Sequence, residues 1–127
     1  MTEDQIQAEF WREVWNRYPE FRHHIWAVPN SAIGECINRK DMMRANLLKS
    51  TGLLSGVWDL HIFWKGHFYI IETKVPGGQL TRDRVVNGKK VYGQFEWGER
   101  MAEHGAIRHI YHSLQEGIEI IEGIIKK

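Results

Sequence analysis

The order of apolar patterns along the chain predicts an α/β domain with a small mixed sheet covered by helices. Three observations carry that expectation. Apolar residues at helical spacing open and close the sequence. Two β-prone runs, WDLHIFW and HFYIIETKV, meet across Lys65-Gly66 in the middle. The remaining signals order themselves as helix, strand, helix, hairpin, helix, strand, helix, and 127 residues suit one domain over 1–127.

The elements follow in turn. Thr2 with Gln5 reads as a capping box, and Ile6, Phe10 and Val14 recur at helical spacing, so residues 3–17 form an amphipathic helix that ends before Pro19. Ile25 to Val28 is a short strand closed by Pro29-Asn30. Residues 38–50, NRKDMMRANLLKS, predict a second helix with Met43, Leu47 and Leu48 inward and Gly52 as its stop. Trp58–Trp64 and His67–Val75 form a hairpin, and Pro76-Gly77-Gly78 ends its second strand. Asn87-Gly88 is a strong turn signal within RDRVVNGKKVY, which reads as a small hairpin or a loop. A third helix is expected from Tyr92 to Glu103 with Gly105 after it, then a strand from Ile107 to Tyr111. Ser113 with Glu116 predicts a second capping box opening a last helix to Ile125.

Composition narrows the function classes. The net charge of +1 gives no bulk positive field, so any anion-binding surface must come from local clustering. One cysteine, Cys36, excludes an internal disulfide and any multi-cysteine zinc site, which suits a reducing cytoplasm. The stretch MTEDQIQAEF is acidic and carries no apolar segment, so no signal peptide is expected, and no apolar run approaches the roughly 20 residues a membrane span needs. Zinc is not expected from the seven histidines: His109 and His112 lie three apart on a strand and face opposite ways, and His23-His24 are adjacent. Trp11, Trp15, Trp26, Trp64 and Trp97 read as core residues.

The chemistry concentrates in DLHIFWKGHFYIIETKV. Side chains alternate faces along a strand, so Glu72 and Lys74 share a face while Thr73 points the other way. A hairpin turning at Lys65-Gly66 sets Asp59 roughly opposite Glu72. Two carboxylates can hold a hard divalent cation such as Mg²⁺ together with water and phosphate oxygens. An adjacent lysine can orient a water or neutralise charge on a phosphate. The set therefore has the chemistry for metal-assisted phosphodiester hydrolysis. Spacing alone leaves a second reading open, in which these are solvated strand ends with a cross-strand ion pair.

The wider string adds to this. KSTGLLSGVWDLHIFWKGHFYIIETKVPGGQLT followed by YGQFEWGERMAEHGA resembles the VRR-NUC family of the PD-(D/E)XK nuclease superfamily, and TEDQIQAEFW and the VPN at 28–30 resemble its small stand-alone, phage-type members. The resemblance implies a restriction-endonuclease-like core and a Mg²⁺- or Mn²⁺-dependent DNA endonuclease. It implies Asp59 and Glu72 as metal ligands with the Thr73 carbonyl as a third oxygen, Lys74 as the catalytic lysine, and Gln94 as the helix glutamine of the site. It also implies an acid on the first helix. Glu3 and Glu9 are the candidates, and Glu3 is preferred because it shares the inward face of Ile6, Gln7, Phe10 and Val14. Two departures stand out. Trp58 replaces the family's usual proline beside the site, where it is the one tryptophan set apart from the core. The stretch RDRVVNGKKVY before Gln94 is long.

Lys49 on the second helix and Arg82, Arg84, Lys89 and Lys90 in that stretch are candidate phosphate contacts, against the plain reading of solvated surface. The expected function is a DNA endonuclease, structure-selective for flaps or junctions, located in the cytoplasm, the host's if the chain is phage-encoded. A junction preference would fit a homodimer with two sites facing two strands. The alternatives are a catalytically silent nucleic-acid-binding module on the same fold and a protein-interaction domain.

Overall fold

The computed structural model describes residues 1–29 and 39–127. Asn30 and Cys36, named above, lie outside the described residues. The elements are α1 (Glu3–Arg17), a 3₁₀ turn (Pro19–Phe21), β1 (Ile25–Ala27), α2 (Arg39–Ser50), β2 (Leu60–Trp64), β3 (His67–Thr73), β4 (Arg84–Val86), β5 (Lys89–Val91), α3 (Gln94–Glu103), β6 (Ile107–Tyr111) and α4 (Leu114–Ile125). They form a mixed α/β arrangement: a four-stranded sheet in the order β1-β2-β3-β6, flanked by helices, and a separate two-stranded ribbon, β4-β5.

β1, β2 and β3 are antiparallel neighbours, whereas β6 joins β3 in parallel, with Glu72 opposite Ile110 and Thr73 opposite Tyr111. The parallel pair needs a crossover, which α3 supplies. β3 is covered on both sides, and every residue from Tyr69 to Lys74 is buried. That burial explains its nearly continuous apolar run. On one face, Ile6, Phe10 and Val14 of α1 and Ile118, Ile121 and Ile124 of α4 pack with Leu60, Ile62, Tyr69, Ile71 and Tyr111 into one core. The helices approach closely because Gly117 lacks a side chain: a Cβ there would sit 2.5 Å from Phe10 Cδ1. On the opposite face, Trp58 is 1% exposed and its ring lies against Gly98 of α3.

The turns follow their residues. Lys65 and Gly66 have φ of 49° and 80°, and Asn87 and Gly88 have 51° and 76°. Consecutive left-handed residues of this kind match the twist of the strands that they join. The Thr2–Gln5 capping box is complete. At α4 only half of the expected box forms. Ser113 Oγ accepts from Glu116 N, but the Glu116 carboxylate turns to accept from His112 N at 2.9 Å.

Several expectations need correction. Met43 and Leu47 are each 63% exposed rather than inward, and Ala45 is the buried residue of α2. Met43 and Leu47 are four residues apart and share a face, but the fold leaves that face exposed. β2 begins at Leu60 and β3 ends at Thr73, because at that end side-chain carboxyls take over the backbone amides. α3 starts at Gln94 rather than Tyr92, since the preceding loop supplies its cap. Trp26 is 39% exposed, so it is not a core residue.

Candidate active site

β2 and β3 pair from Leu60 opposite Ile71, so Asp59, one residue earlier, stands across from Glu72. Side chains replace the ladder there. Asp59 N–H donates to Glu72 Oε1 at 3.1 Å, and Thr73 N–H donates to Asp59 Oδ2 at 3.1 Å. Each carboxyl thus takes an amide of the other segment, which fixes both side chains where the strands stop pairing. Thr73 is fully buried, and its hydroxyl donates to Tyr111 Oη at 2.7 Å, tying the site to β6.

The other oxygen of Glu72 meets two cationic or polar donors. Gln94 Nε2 donates to Oε2 at 2.7 Å, and Lys74 Nζ lies 3.6 Å from the same atom. Glu72 and Lys74 are 1% and 6% exposed, so this ion pair is desolvated. Burial first, and the charge of Asp59 second, push the Glu72 carboxyl up to about 9 against the opposing pull of Lys74. Asp59 is also raised, by burial above all, despite the Thr73 amide and Lys74. Two acids this close in a buried place resist ionising together, so the fold favours the protonated form of Glu72.

The donor set suits a hard divalent cation. Both groups are carboxyls, and a divalent charge would offset the repulsion between their ionised forms. Asp59 and Glu72, with the Thr73 carbonyl that the family resemblance implies, are the residues that would hold Mg²⁺ or Mn²⁺. Glu3 lies within electrostatic reach of Asp59 and raises its pKa. Among the described residues, however, no group of three or more His, Cys, Asp or Glu side chains is gathered as a metal cage. Glu9 has no interaction with either acid among the described contacts.

Gln94 is fixed at both ends. Its Oε1 accepts from Thr81 N at 3.1 Å, and its own N–H donates to Thr81 Oγ1 at 3.1 Å. Asp83 Oδ1 accepts from Gly93 N at 2.7 Å, and Asp83 N donates to Glu96 Oε1 at 2.8 Å. The loop after β3 thus caps α3, where the first amides of a helix need partners. Thr81 and Asp83 were not among the sequence-derived site residues. The threonine stands in the Gln-Leu-Thr that contributed to the family resemblance, but its bond to Gln94 crosses 13 residues and carries no local signature.

Trp58, set apart from the core tryptophans in the sequence because it adjoins the site, is a buried brace. Its Nε1 donates to the Gln94 carbonyl at 2.8 Å, so it steadies the helix that presents Gln94. A cavity of about 300 Å³ reaches the site at Lys74 and is lined also by Leu80, Arg82, Phe95, Ile110 and His112; neither Asp59 nor Glu72 lines it. Arg82 lies over the Phe95 ring at 4.1 Å. Arg84, Lys89 and Lys90 are carried on the exposed ribbon. Lys49 is exposed near the end of α2, and among the described contacts no hydrogen bond or ion pair joins it to the site. His61, absent from the candidates, is buried on the α3 side and stacks on Trp97 with ring centres 5.7 Å apart.

Among the described residues, no helix is long and apolar enough to cross a membrane. No family model matches the chain, and no curated protein or solved structure matches it either.

Proposed function

We propose that this protein is a divalent-metal-dependent endonuclease that hydrolyses DNA phosphodiester bonds on a PD-(D/E)XK-type core of the VRR-NUC kind. The observation that carries the reading is the buried set at the strand ends: Asp59 and Glu72 each taking an amide of the other's segment, with Lys74 and Gln94 meeting on one oxygen of Glu72. A purely structural ion pair has no use for the second acid, whose presence raises the cost of burial. Acids perturbed by burial and by a charge partner, here with Lys74 reaching from them to a cavity, are a common mark of a chemical site.

Mg²⁺ or Mn²⁺, when bound, supplies charge to polarise the scissile phosphate and to make a water nucleophilic at neutral pH. The chain's own groups do the rest. Asp59 and Glu72 would hold the cation as carboxylates, which requires Glu72 to give up its proton. Gln94 keeps Glu72 in one orientation by its 2.7 Å bond. Lys74 lies between Glu72 and the cavity, where it can orient the attacking water or offset charge that builds on the phosphate. Arg82, held over Phe95 on the cavity wall, can take a neighbouring phosphate.

The test is cleavage of labelled duplex, single strand, flap and four-way junction with Mg²⁺, Mn²⁺ or EDTA, beside Lys74→Ala. Metal-dependent cutting that falls at least about 100-fold in the variant is expected, in line with losing a positioned catalytic group. Tight DNA binding without cutting of any substrate would instead establish a silent binding module.

A further inference from the structure

The ribbon β4-β5 is not explained by folding. It forms its own two-stranded sheet, separate from the main one. Val85 is 71% exposed and Val86 45%, so neither valine contributes to the core. A lone two-stranded ribbon gains little stability in water. This one is clamped at its base by the Thr81–Gln94 and Asp83–Gly93 bonds, which also set the glutamine that holds Glu72. Its base is therefore tied to residues of the candidate active site.

Charge is concentrated there. Residues 82–92 carry four cations and one acid, a local +3 in a chain of total +1, so the other 116 residues are net −2. The register divides these cations by role. Opposed residues share a face, so Arg84, Val86, Lys89 and Val91 lie on one side, and Val85 and Lys90 on the other. Lys90 is engaged within the chain, 3.6 Å from Asp83 Oδ2 and over the Tyr92 ring. Arg84 and Lys89 have no ion-pair partner among the described residues, and they flank Val86 on the other face.

From this face we infer that β4-β5 is a duplex-reading ribbon that enters the major groove of DNA beside the active site. Arg84 and Lys89 contact phosphates across the groove, and Val86 packs against base edges such as a thymine methyl. The inference rests on DNA as the substrate and narrows it to double-stranded DNA next to the cut. The dimensions agree. Three residues of strand span about 10 Å. The major groove is about 12 Å wide and admits a two-stranded ribbon, whereas the minor groove, about 6 Å wide, does not. Salt-dependent attraction from two free cations and an apolar contact between them is the combination that positions a protein on a duplex and then reads it.

The experiment measures binding in EDTA, so that cutting plays no part. Fluorescence anisotropy of a labelled duplex across a salt series compares the wild type with Arg84→Ala/Lys89→Ala and with Lys90→Ala. The double variant is expected to lose about 1.8 from the slope of log affinity against log salt, at about 0.9 per phosphate contact, and Lys90→Ala very little. Dimethyl sulfate probing of saturated duplex should find guanine N7, in the major groove, protected by wild type and released in Val86→Asp. Circular dichroism confirms that each variant is folded; these positions are exposed. An unchanged salt slope in the double variant, protection of adenine N3 in the minor groove instead, or stronger binding to single strand or anionic vesicles than to duplex would overturn the inference. Cleavage assays run in parallel separate the two readings. A nuclease with an unchanged slope loses only the ribbon proposal, and a binder with the expected slope but no cutting loses only the nuclease.

Discussion

Replacing Glu72 with Gln tests the buried acid pair without changing its shape. The Glu72 carboxyl is pushed up to about 9 by burial and by Asp59, against about 4.3 in an unfolded chain. A group whose folded pKa is raised gives stability that is fully present below its unfolded pKa and is lost as pH rises toward its folded pKa. For this acid that window runs from about 4.3 upward to about 9, and Asp59, raised as well, acts in the same sense. Within it the folded state holds one more proton, which costs up to about 1.4 kcal/mol per pH unit. By pH 8 the wild type has lost up to about 5 kcal/mol relative to its acid limit. Glutamine carries no such slope. It presents only one acceptor, however, to the Asp59 amide and to the Gln94 and Lys74 donors, so one bond is lost at about 1–3 kcal/mol. The two proteins should therefore be near parity around pH 5.5, with the variant ahead by about 2–4 kcal/mol at pH 8. Urea unfolding in EDTA from pH 5.5 to 8.5 reads this directly. The wild-type midpoint should fall by about 0.5–1.4 M per pH unit, for a slope near 1–3 kcal/mol/M, and that of Glu72→Gln should fall much less. Adding Mg²⁺ or Mn²⁺ at pH 8 should raise the wild type alone. Parallel pH profiles for the two proteins, or a wild-type midpoint that rises across the window, would refute the reasoning.

Three further outcomes follow from single contacts. Calorimetric titration with Mn²⁺ at pH 7.5, repeated in buffers of different ionisation enthalpy, should report release of about one proton per bound ion in the wild type and none in Glu72→Gln. Gln94→Ala removes the 2.7 Å donor to Glu72 and the partner of Thr81; metal affinity or cleavage should fall by about 10–100-fold, as for other residues that orient a ligand, with less effect on DNA binding in EDTA. Gly98→Ala would place a methyl 2.6 Å from Trp58 Cζ2, which should destabilise by about 1–3 kcal/mol and lower the thermal midpoint by several degrees, read by calorimetry.

Much of this arrangement is local in origin and legible as such. The capping residues Thr2 and Ser113, the turn pairs Lys65-Gly66 and Asn87-Gly88, and the 3.6-residue spacing of Ile6, Phe10 and Val14 each act within a few residues, so pattern alone located α1, α4 and the β2-β3 hairpin and marked the turn of β4-β5, where pattern leaves a loop as an alternative. Alternation along a strand put Glu72 and Lys74 on one face, and the hairpin turn put Asp59 opposite Glu72. The α2 stripe failed because Met43 and Leu47 are apolar but have no packing partner on their face, a fact that resides in the neighbouring elements and not in the helix.

Tertiary structure decided what the site is made of beyond those three residues. The bond from Thr81 to Gln94, the Trp58 indole on the Gln94 carbonyl and the Thr73–Tyr111 contact each join residues 13 to 38 positions apart. Their partners are chosen by how the crossover lays α3 and β6 against β3, which no local periodicity encodes. The same holds for the split among the ribbon cations, where register and the position of Asp83 occupy Lys90 and leave Arg84 and Lys89 outward. The sequence by itself determined which groups are present and which short segments they ride on. Burial and long-range register determined their charge states and their partners, because both depend on what the rest of the chain brings within a few ångströms.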